Sequence, residues 1–189
     1  MIIAVLANGA WDSEWGKHVL EEVDYLICAD GGANHAISLG FMPARLIGDL
    51  DSILPEYLAQ CEQSGCLIER YPREKDETDL ELALLEAKKK ASLVGERDIW
   101  LYGGTGKRID HFMGNLSLML AYAHQGYRLR LVDPWHEMWV FQGNEGDPDI
   151  SGTGTIFDCA FREGCCQYKR FVLSFKSWCF ASGHSSWGE

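Results

Sequence analysis

The sequence predicts an α/β fold, with a Rossmann-like, mostly parallel sheet and flanking helices, followed by a small β-sandwich domain. Two observations carry this prediction. Through the first three quarters of the chain, short apolar runs with strand character alternate with longer segments of helical periodicity. This alternation is typical of a parallel sheet with helices on both faces. After about Asp133 the helical segments stop, which predicts a separate β-rich unit.

The α/β part is predicted to contain six strands and five helices, taken in order along the chain. Each predicted strand is a short apolar run, and each helix places apolar residues three or four positions apart. The predicted strands are residues 2–7, 25–29, 45–47, 66–71, 98–102 and 128–132. The predicted helices are residues 13–23, 33–39, 55–64, 79–92 and 111–124. Further strands are predicted at residues 136–142, 155–161 and 171–175.

The helix that begins after Thr78 has the clearest boundaries. Thr78 and Glu81 have the spacing of a capping box, with Thr78 as the N-cap. Gly95 is expected to end the helix. One apolar stripe is expected to face the core, formed by Leu80, Ala83, Leu84 and Ala87.

Composition excludes several classes of protein. The formal net charge of −11 argues against a nucleic-acid-binding surface. No apolar run approaches the ~20 residues of a membrane span, so no membrane partner is expected. The seven cysteines lack C-x-x-C spacing, and the N-terminus lacks the pattern of a signal peptide. These features predict reduced thiols and a cytoplasmic location.

Acidic and glycine-rich segments follow the predicted strands, whereas the opposite ends of the strands lack them. The segments are residues 8–9, 30–34, 48–52, 74–79 and 103–111. Loops expected at the other edge of the sheet, residues 40–43 and 126–127, show no such clustering. Because ligands of parallel α/β sheets bind beyond the carboxyl ends of the strands, this asymmetry predicts an active site.

The chemistry expected there combines a cation with phosphate. Asp49 and Asp51 repel each other unless a cation or a donor lies between them, although aspartate and serine are also common in turns. Several carboxylates at one edge suit Mg²⁺. The glycines of residues 103–106, next to a helix start, let backbone N–H groups approach a phosphate. Together these features predict phosphoryl-type transfer from a nucleotide.

The glycine loop is not a Walker A motif. In that motif a glycine precedes the Gly-Lys pair by five positions, and a serine or threonine follows the lysine. Here Leu101 occupies the glycine position and Arg108 follows the lysine. The sequence also lacks a G-x-G-x-x-G dinucleotide fingerprint.

Four of these segments have the order and spacing of the motifs of a known family. They are Ala-Asp-Gly-Gly-Ala-Asn at 29–34, Ile-Gly-Asp-Leu-Asp-Ser at 47–52, Tyr-Pro through Lys-Asp-Glu-Thr-Asp at 71–79, and Gly-Gly-Thr-Gly-Lys-Arg-Ile-Asp-His at 103–111 with Asn115. Over about residues 1–145 the chain resembles the thiamine pyrophosphokinases of the bacterial type.

The resemblance implies transfer of the terminal diphosphate of ATP to the hydroxyl of thiamine, which gives thiamine diphosphate and AMP. It implies Mg²⁺ as the cofactor, ATP as co-substrate and a homodimer with active sites between the α/β domain of one subunit and the β domain of the other. Residues 1–133 would then be the α/β catalytic domain that binds ATP and Mg²⁺. Residues 134–189 would be the β-rich domain for thiamine binding and dimerisation.

The resemblance also implies roles by motif position. Asp49, Asp51 and Asp76 would lie at the metal and the diphosphate, with Asp79 beside them as a further catalytic residue. The remaining implied residues bind the nucleotide or line the same pocket: Asp30, Asn34, Gly104, Arg108, Asp110 and His111.

Some of these roles have alternatives. Asp76 and Asp110 are both candidates for the general base, and the residues do not separate them. A less favoured alternative for Asp79 is a first-turn acid stabilised by the helix dipole. His111 can be a first-turn helix residue that packs or contacts solvent.

From about residue 158 the chain departs from the family. It becomes rich in cysteine and aromatic residues and lacks the Ser-Asn pair that the family has near its end. One hypothesis is a frameshifted translation of the β domain. A zinc site formed by His184 and the cysteines of this segment is less favoured without C-x-x-C spacing; these are Cys159, Cys165, Cys166 and Cys179. The β-sandwich would then be incomplete. The alternative functions are a catalytically impaired nucleotide-binding homologue and a diphosphotransferase that acts on a related alcohol.

Overall fold

The structure is a computed structural model that describes residues 1–106, 108–143, 154–163 and 167–175. The helices in these ranges are α1 (Ser13–Glu21), α2 (Gly32–Ser38), α3 (Pro55–Ser64), α4 (Asp79–Val94) and α5 (Ile109–His124). The first strands are β1 (Ile3–Leu6), β2 (Tyr25–Ala29), β3 (Arg45–Gly48), β4 (Leu67–Arg70), β5 (Asp98–Tyr102) and β6 (Arg128–Val132). They are followed by β7 (His136–Gly143), β8 (Gly154–Glu163) and β9 (Gln167–Phe175).

The described strands form one sheet with the order β4-β3-β2-β1-β5-β6-β7-β8-β9. The first six strands along the chain pair in parallel, as in the Val5–Ile27 and Val5–Leu101 registers. Chain order runs outward in both directions from β1, so the direction of winding reverses between β1 and β5. In sheets of this kind the reversal point opens a crevice at the carboxyl ends of the strands.

Helices cover both faces of the parallel part of the sheet, which confirms the predicted α/β fold. On one face α4 and α5 pack on the strands through buried residues such as Leu84 and Met119. On the other face the strands and α2 form a second core cluster that includes Leu6 and Ile37. Burial of both faces requires apolar residues at successive positions, and the whole of β1 is buried.

Helix α4 has the predicted capping box. The Thr78 Oγ1 accepts from the backbone N of Glu81 at 3.2 Å, and the Glu81 Oε2 accepts from the backbone N of Thr78 at 2.6 Å. Gly95 ends the helix in the left-handed conformation, with φ of 77°. Of the predicted stripe, Ala83, Leu84 and Ala87 are buried and Leu80 is partly buried against the same core. The small residues Ala83 and Ala87 let the helix lie close over β1, β2 and β3.

The C-terminal strands confirm the β-rich prediction but differ from the predicted sandwich. In the described ranges β7, β8 and β9 pair antiparallel and in sequence, continuing the sheet beyond β6. The turn after β6 gives the physical reason. The Asp133 Oδ1 accepts from the backbone N atoms of Trp135 and His136, at 2.9 and 2.8 Å. A tight turn of this kind folds β7 back beside β6, so the new strands extend the existing sheet.

Other sequence-based expectations for the C-terminal part of the chain stay predictions. The domain boundary at residue 133 is one of them. The atypical tail is described only as far as Phe175. Of the residues of the zinc hypothesis, Cys159 lies within β8, and the others lie outside the described residues: Cys165, Cys166, Cys179 and His184. Among the helices that are described, none combines the length and the apolarity needed to cross a membrane.

Candidate active site

The acidic and glycine-rich segments meet at the carboxyl ends of β1 to β5, which we call the carboxyl edge. Parallel pairing of the five strands brings these ends to one side of the sheet. The edge contains two neighbouring groups: three carboxylates near β2 and β3, and a glycine-rich loop near β1 and β5.

The first group is formed by Asp30, Asp49 and Asp79. One carboxylate oxygen of each lies within 4.8 Å of those of the other two. Asp30 follows β2, Asp49 follows β3 and Asp79 begins α4. Asp30 is 8% exposed, and the Asp79 side chain is 24% exposed. The sequence analysis named all three residues, with Asp30 assigned to the surrounding pocket and Asp79 to catalysis.

Backbone geometry fixes Asp30 in this group. Its φ of 44° lies in the left-handed region, which non-glycine residues seldom adopt. The Asp30 backbone N donates to Ile47 O at 2.8 Å, and its Oδ1 accepts from the backbone N of Ser52 at 3.3 Å. These bonds tie the end of β2 to the loop that follows β3. Strained residues held in this way are common at functional sites.

Asn34 supports the same loop from α2. Its Nδ2 donates to Ser52 O at 2.9 Å, and its Oδ1 accepts from the backbone N of Leu54 at 2.9 Å. The amide therefore satisfies two backbone groups of the loop that begins with Asp49. The structure places Asn34 as a support of this loop.

Gly48 lies where the three acidic segments come together. Its φ is 150°, and a Cβ added there would lie 3.0 Å from Asp30 Cβ and 3.0 Å from Asp79 Cγ. The absence of a side chain at position 48 is what allows the carboxylates to approach one another.

Asp51 and Asp76 lie outside the group of three. Leu50 has a φ of 64° and is 8% exposed, so the chain turns at this residue and its side chain enters the core. Asp51 is therefore exposed, with its Oδ2 3.8 Å from Arg73 Nη1. Asp76 is also exposed. Their predicted metal roles stay predictions.

The structure adds Lys75, which the sequence analysis did not select. Its Nζ lies 2.7 Å from Asp79 Oδ1 and donates to Pro72 O at 3.2 Å, and the side chain is 12% exposed. The sequence contained a signal, because Lys75 is the one basic residue within the acidic segment 74–79.

The glycine-rich loop lies in the crevice between β1 and β5. Gly103 has a φ of 63°, and a Cβ there would lie 2.2 Å from Ala7 O. A Cβ on Gly9 would lie 2.1 Å from Gly103 O. The Ala10 backbone N donates to Thr105 O at 2.7 Å. The loops after β1 and β5 are therefore in direct backbone contact, which only glycine permits at positions 9 and 103.

Asn115 holds this loop from α5. The residue is 8% exposed, and its Nδ2 donates to the carbonyl oxygen of Gly104 at 2.6 Å. A buried amide with a close backbone partner fixes the position of that partner. Asn115 belongs to the family motif but was not predicted as a site residue. Its amide on an otherwise apolar helix face is the sequence feature that could have identified it.

We expect replacement of Asn115 by leucine to weaken nucleotide binding about tenfold and to lower the free energy of unfolding by about 1–3 kcal/mol, because the Gly104 carbonyl loses its partner. Ser117→Ala is the matched control on the same helix, since Ser117 is exposed and bonds only within the helix turn, to Met113 O at 3.1 Å. Calorimetric titration with ATP and chemical denaturation measure the two effects. Equal behaviour of the two variants would contradict the assignment.

Arg108, Asp110 and His111 lie exposed at the start of α5. Arg108 Nε donates to Asp110 Oδ1 at 3.1 Å. This hydrogen bond lowers the pKa of Asp110 to about 2. A carboxylate with so low a pKa is a poor proton acceptor, which argues against Asp110 as the general base.

An apolar cleft of about 470 Å³ opens beside the glycine loop. Thr105 and Gly106 form one side, and Ile109, Phe112 and Met138 contribute apolar walls. The cleft is continuous with the loop and offers aromatic and aliphatic surface next to a potential phosphate site. Such a surface suits a flat organic ring.

The group of three carboxylates fits a magnesium ion. Its oxygen donors are the type that Mg²⁺ prefers, and the ion usually takes one or two carboxylates and completes its shell with phosphate and water. Asp30 is buried beside two other carboxylates, an arrangement that is costly without a nearby positive charge. Asp30, Asp49 and Asp79 are therefore a group of residues in the described chain that could hold the ion.

The fold and the site together define a Rossmann-like α/β protein with an acidic and glycine-rich carboxyl edge, the arrangement used to bind phosphorylated ligands. Residues 16–131, more than half of the chain, match the family model described as thiamin pyrophosphokinase, catalytic domain. The chain therefore belongs to the thiamin pyrophosphokinase family.

Individual relatives agree with this assignment. The chain is 33% identical to thiamine pyrophosphokinase of Bacillus subtilis over 121 residues, which cover 64% of this chain and 55% of the relative. It is 26% identical to a thiamine pyrophosphokinase of Oryza sativa over 110 residues, which cover 49% of this chain and 41% of the relative. The aligned part thus spans about half the length of these curated relatives.

Solved structures show the same fold. The crystal structure of thiamine pyrophosphokinase from Bacillus subtilis matches with a TM-score of 0.63 and 28% identity, covering 76% of this chain and 66% of that chain. The thiamin pyrophosphokinase from Geobacillus thermodenitrificans matches with a TM-score of 0.60 and 30% identity, covering 76% and 65%. The yeast enzyme, at 16% identity and a TM-score of 0.62, supports the fold alone.

Proposed function

We propose that the protein is a thiamine diphosphokinase, which transfers the terminal diphosphate of ATP to the hydroxyl of thiamine and releases AMP and thiamine diphosphate. Family membership supports the reaction. The observation that carries the proposal is the juxtaposition of three carboxylates and a glycine-rich loop at one edge of the sheet. Transfer of a diphosphate needs both, since one group neutralises charge through a cation and the other binds phosphate.

In the proposed reaction the carboxylates of Asp30, Asp49 and Asp79 would hold Mg²⁺, and Asp51 and Asp76 are proposed as further residues of the metal and diphosphate site. Bound there, the ion neutralises phosphate charge that would otherwise repel the attacking hydroxyl.

The other half of the edge binds the nucleotide. The backbone at Gly104, held by Asn115, accommodates phosphate, and Arg108 adds a positive charge at the start of α5. The apolar cleft beside Phe112 accommodates the base. Asp76 and Asp110 remain the two candidates for the general base, and the pair with Arg108 keeps the pKa of Asp110 low for as long as Arg108 stays on it.

The partners and location belong to the same proposal. We propose thiamine as the acceptor, a homodimer that completes each active site with the β-rich part of the other subunit, and a cytoplasmic location. Free cysteines among the described residues, Cys28, Cys61 and Cys66, are consistent with a reducing compartment.

The test is an AMP-release assay with Mg²⁺–ATP in the presence and absence of thiamine. We expect AMP to form only with both substrates and to be matched by thiamine diphosphate in a one-to-one ratio. Failure to release AMP, or release that does not depend on thiamine, would overturn the proposal. Calorimetry with each substrate alone would then identify a nucleotide-binding protein without turnover, because such a protein binds ATP but not thiamine.

A further inference from the structure

Lys75 places a positive charge against the three carboxylates. Its Nζ lies 2.7 Å from Asp79 Oδ1, and Asp79 is one of the three residues whose carboxylate oxygens lie within 4.8 Å of one another. The Lys75 side chain is 12% exposed, in contrast to Lys89, which pairs with Glu86 and is 62% exposed. The contact of Lys75 is therefore a largely buried ion pair at the site and not a surface pair.

The charge balance of the group explains why a lysine is there. Three carboxylates this close repel one another strongly, and partial burial reduces screening by water. The Lys75 ammonium relieves part of this repulsion through Asp79. A divalent ion would bring two positive charges to the same oxygens. Because Lys75 already contacts Asp79 Oδ1, the ammonium and the ion compete for one carboxylate.

The other hydrogen bond of Lys75 stays within its own loop. Its second partner is the Pro72 carbonyl at 3.2 Å, which belongs to the same loop. The side chain is a flexible four-carbon stem, so a change of rotamer moves the ammonium while the backbone stays in place. Lysine is a common point-charge ligand of phosphate, so a diphosphate bound at the carboxyl edge would offer the ammonium a second anionic partner.

We propose that Lys75 is an internal counter-ion that exchanges partners during the reaction. Its ammonium pairs with Asp79 before the divalent ion binds, and with the diphosphate of the nucleotide afterwards. The proposal rests on the proposed function, since it assigns a role at that same site. The exchange releases Asp79 for the ion and delivers a positive charge to the phosphate. Lys75 thereby weakens binding of the ion to the free protein and strengthens binding of the nucleotide with the ion.

The test compares Lys75→Met with the wild-type protein. Methionine removes the charge and retains most of the length. Titration of the full chain with Mn²⁺ alone, followed by calorimetry or electron paramagnetic resonance, reports the affinity of the carboxylates without nucleotide. We expect Lys75→Met to bind Mn²⁺ at least tenfold more tightly and Mg²⁺–ATP at least tenfold more weakly than wild type. Lys75→Arg is expected to stay near wild type for both.

Lys89→Met is the matched control, because it removes an ammonium from a lysine–carboxylate pair further along α4, away from the site. Lys89→Met should change neither the affinity for Mn²⁺ nor the affinity for Mg²⁺–ATP. If Lys75→Met binds Mn²⁺ no more tightly than wild type, the counter-ion role is overturned while the proposed function stands. If wild type itself binds no Mn²⁺, the metal site of the proposed function fails as well. A parallel loss of both affinities with a lower melting temperature would indicate a structural role and also overturn the proposal.

Discussion

Replacement of Asp49 by asparagine is expected to reduce turnover at least about 100-fold and to abolish tight binding of a divalent cation, while the fold remains intact. Loss of a supporting residue near a metal already costs about 10–100-fold, and Asp49 is proposed as a direct ligand. Asparagine has the same shape, and the change removes one of three mutually repelling charges. The melting temperature of the free protein should therefore be unchanged or higher.

Asp51→Asn is the informative comparison for this prediction. Asp51 is exposed and near Arg73, whereas Asp49 lies within the group of three carboxylates. We expect Asp51→Asn to lose much less Mn²⁺ affinity than Asp49→Asn. Steady-state rates at saturating Mg²⁺ and direct Mn²⁺ titration measure both effects. Near-normal turnover of Asp49→Asn at saturating Mg²⁺ would contradict its role as a ligand.

Replacement of Gly48 by alanine is expected to lower the free energy of unfolding by about 2–4 kcal/mol and to abolish cation binding. Two costs add: overpacking, typically about 1–3 kcal/mol, and an unfavourable φ, about 1 kcal/mol. The added methyl group would lie 3.0 Å from atoms of both Asp30 and Asp79. One carboxylate must then move away from the other. Urea denaturation and Mn²⁺ titration measure the two losses.

Gly40→Ala separates the two costs. Gly40 also has a positive φ, 87°, but a Cβ there would have no neighbour within 4 Å. We expect this variant to lose about 1 kcal/mol of stability and to keep wild-type cation affinity. If Gly48→Ala and Gly40→Ala lose the same stability and the same cation affinity, crowding of the carboxylates at position 48 does not cause the losses, and the role assigned to Gly48 is wrong.

Local sequence patterns were sufficient to predict the α/β part of the fold. A strand with both faces buried needs apolar residues at successive positions. β1 has four in a row and β5 has four after Asp98, so both are recognisable in the sequence. The capping box at Thr78 and the left-handed Gly95 set the ends of α4 through local hydrogen bonds and local φ values, which the residue types themselves determine. The carboxyl edge was predictable because parallel strands bring their following loops to one side.

The arrangement within the site depended on features that residue spacing does not report. Asp49 and Asp51 are one residue apart, and the sequence analysis treated them as a pair. The left-handed φ of the buried Leu50 between them turns the chain, so that Asp49 joins Asp30 and Asp79 while Asp51 faces solvent. Leucine rarely adopts this conformation, and its burial is a tertiary effect.

The C-terminal strands show a similar limit. Alternating apolar residues indicated strands, but two arrangements bury the same pattern, a second sheet or an extension of the first. The Asp133 turn decides between them for the described residues by returning β7 beside β6. A side chain that accepts two backbone hydrogen bonds is a three-dimensional feature, and the aspartate alone did not identify it.

The three carboxylates belong to segments far apart in the chain, and they meet only because β2, β3 and α4 have assembled. An unfolded chain offers no comparable site, so a divalent ion bound there acts as a ligand of the native state alone. Folding and cation binding are then thermodynamically linked, and an ion at 100 times its dissociation constant adds about 2.7 kcal/mol to the free energy of unfolding. For a protein of ordinary marginal stability, the ion would lower the small unfolded fraction about 100-fold, while the protein stays mostly folded with or without it.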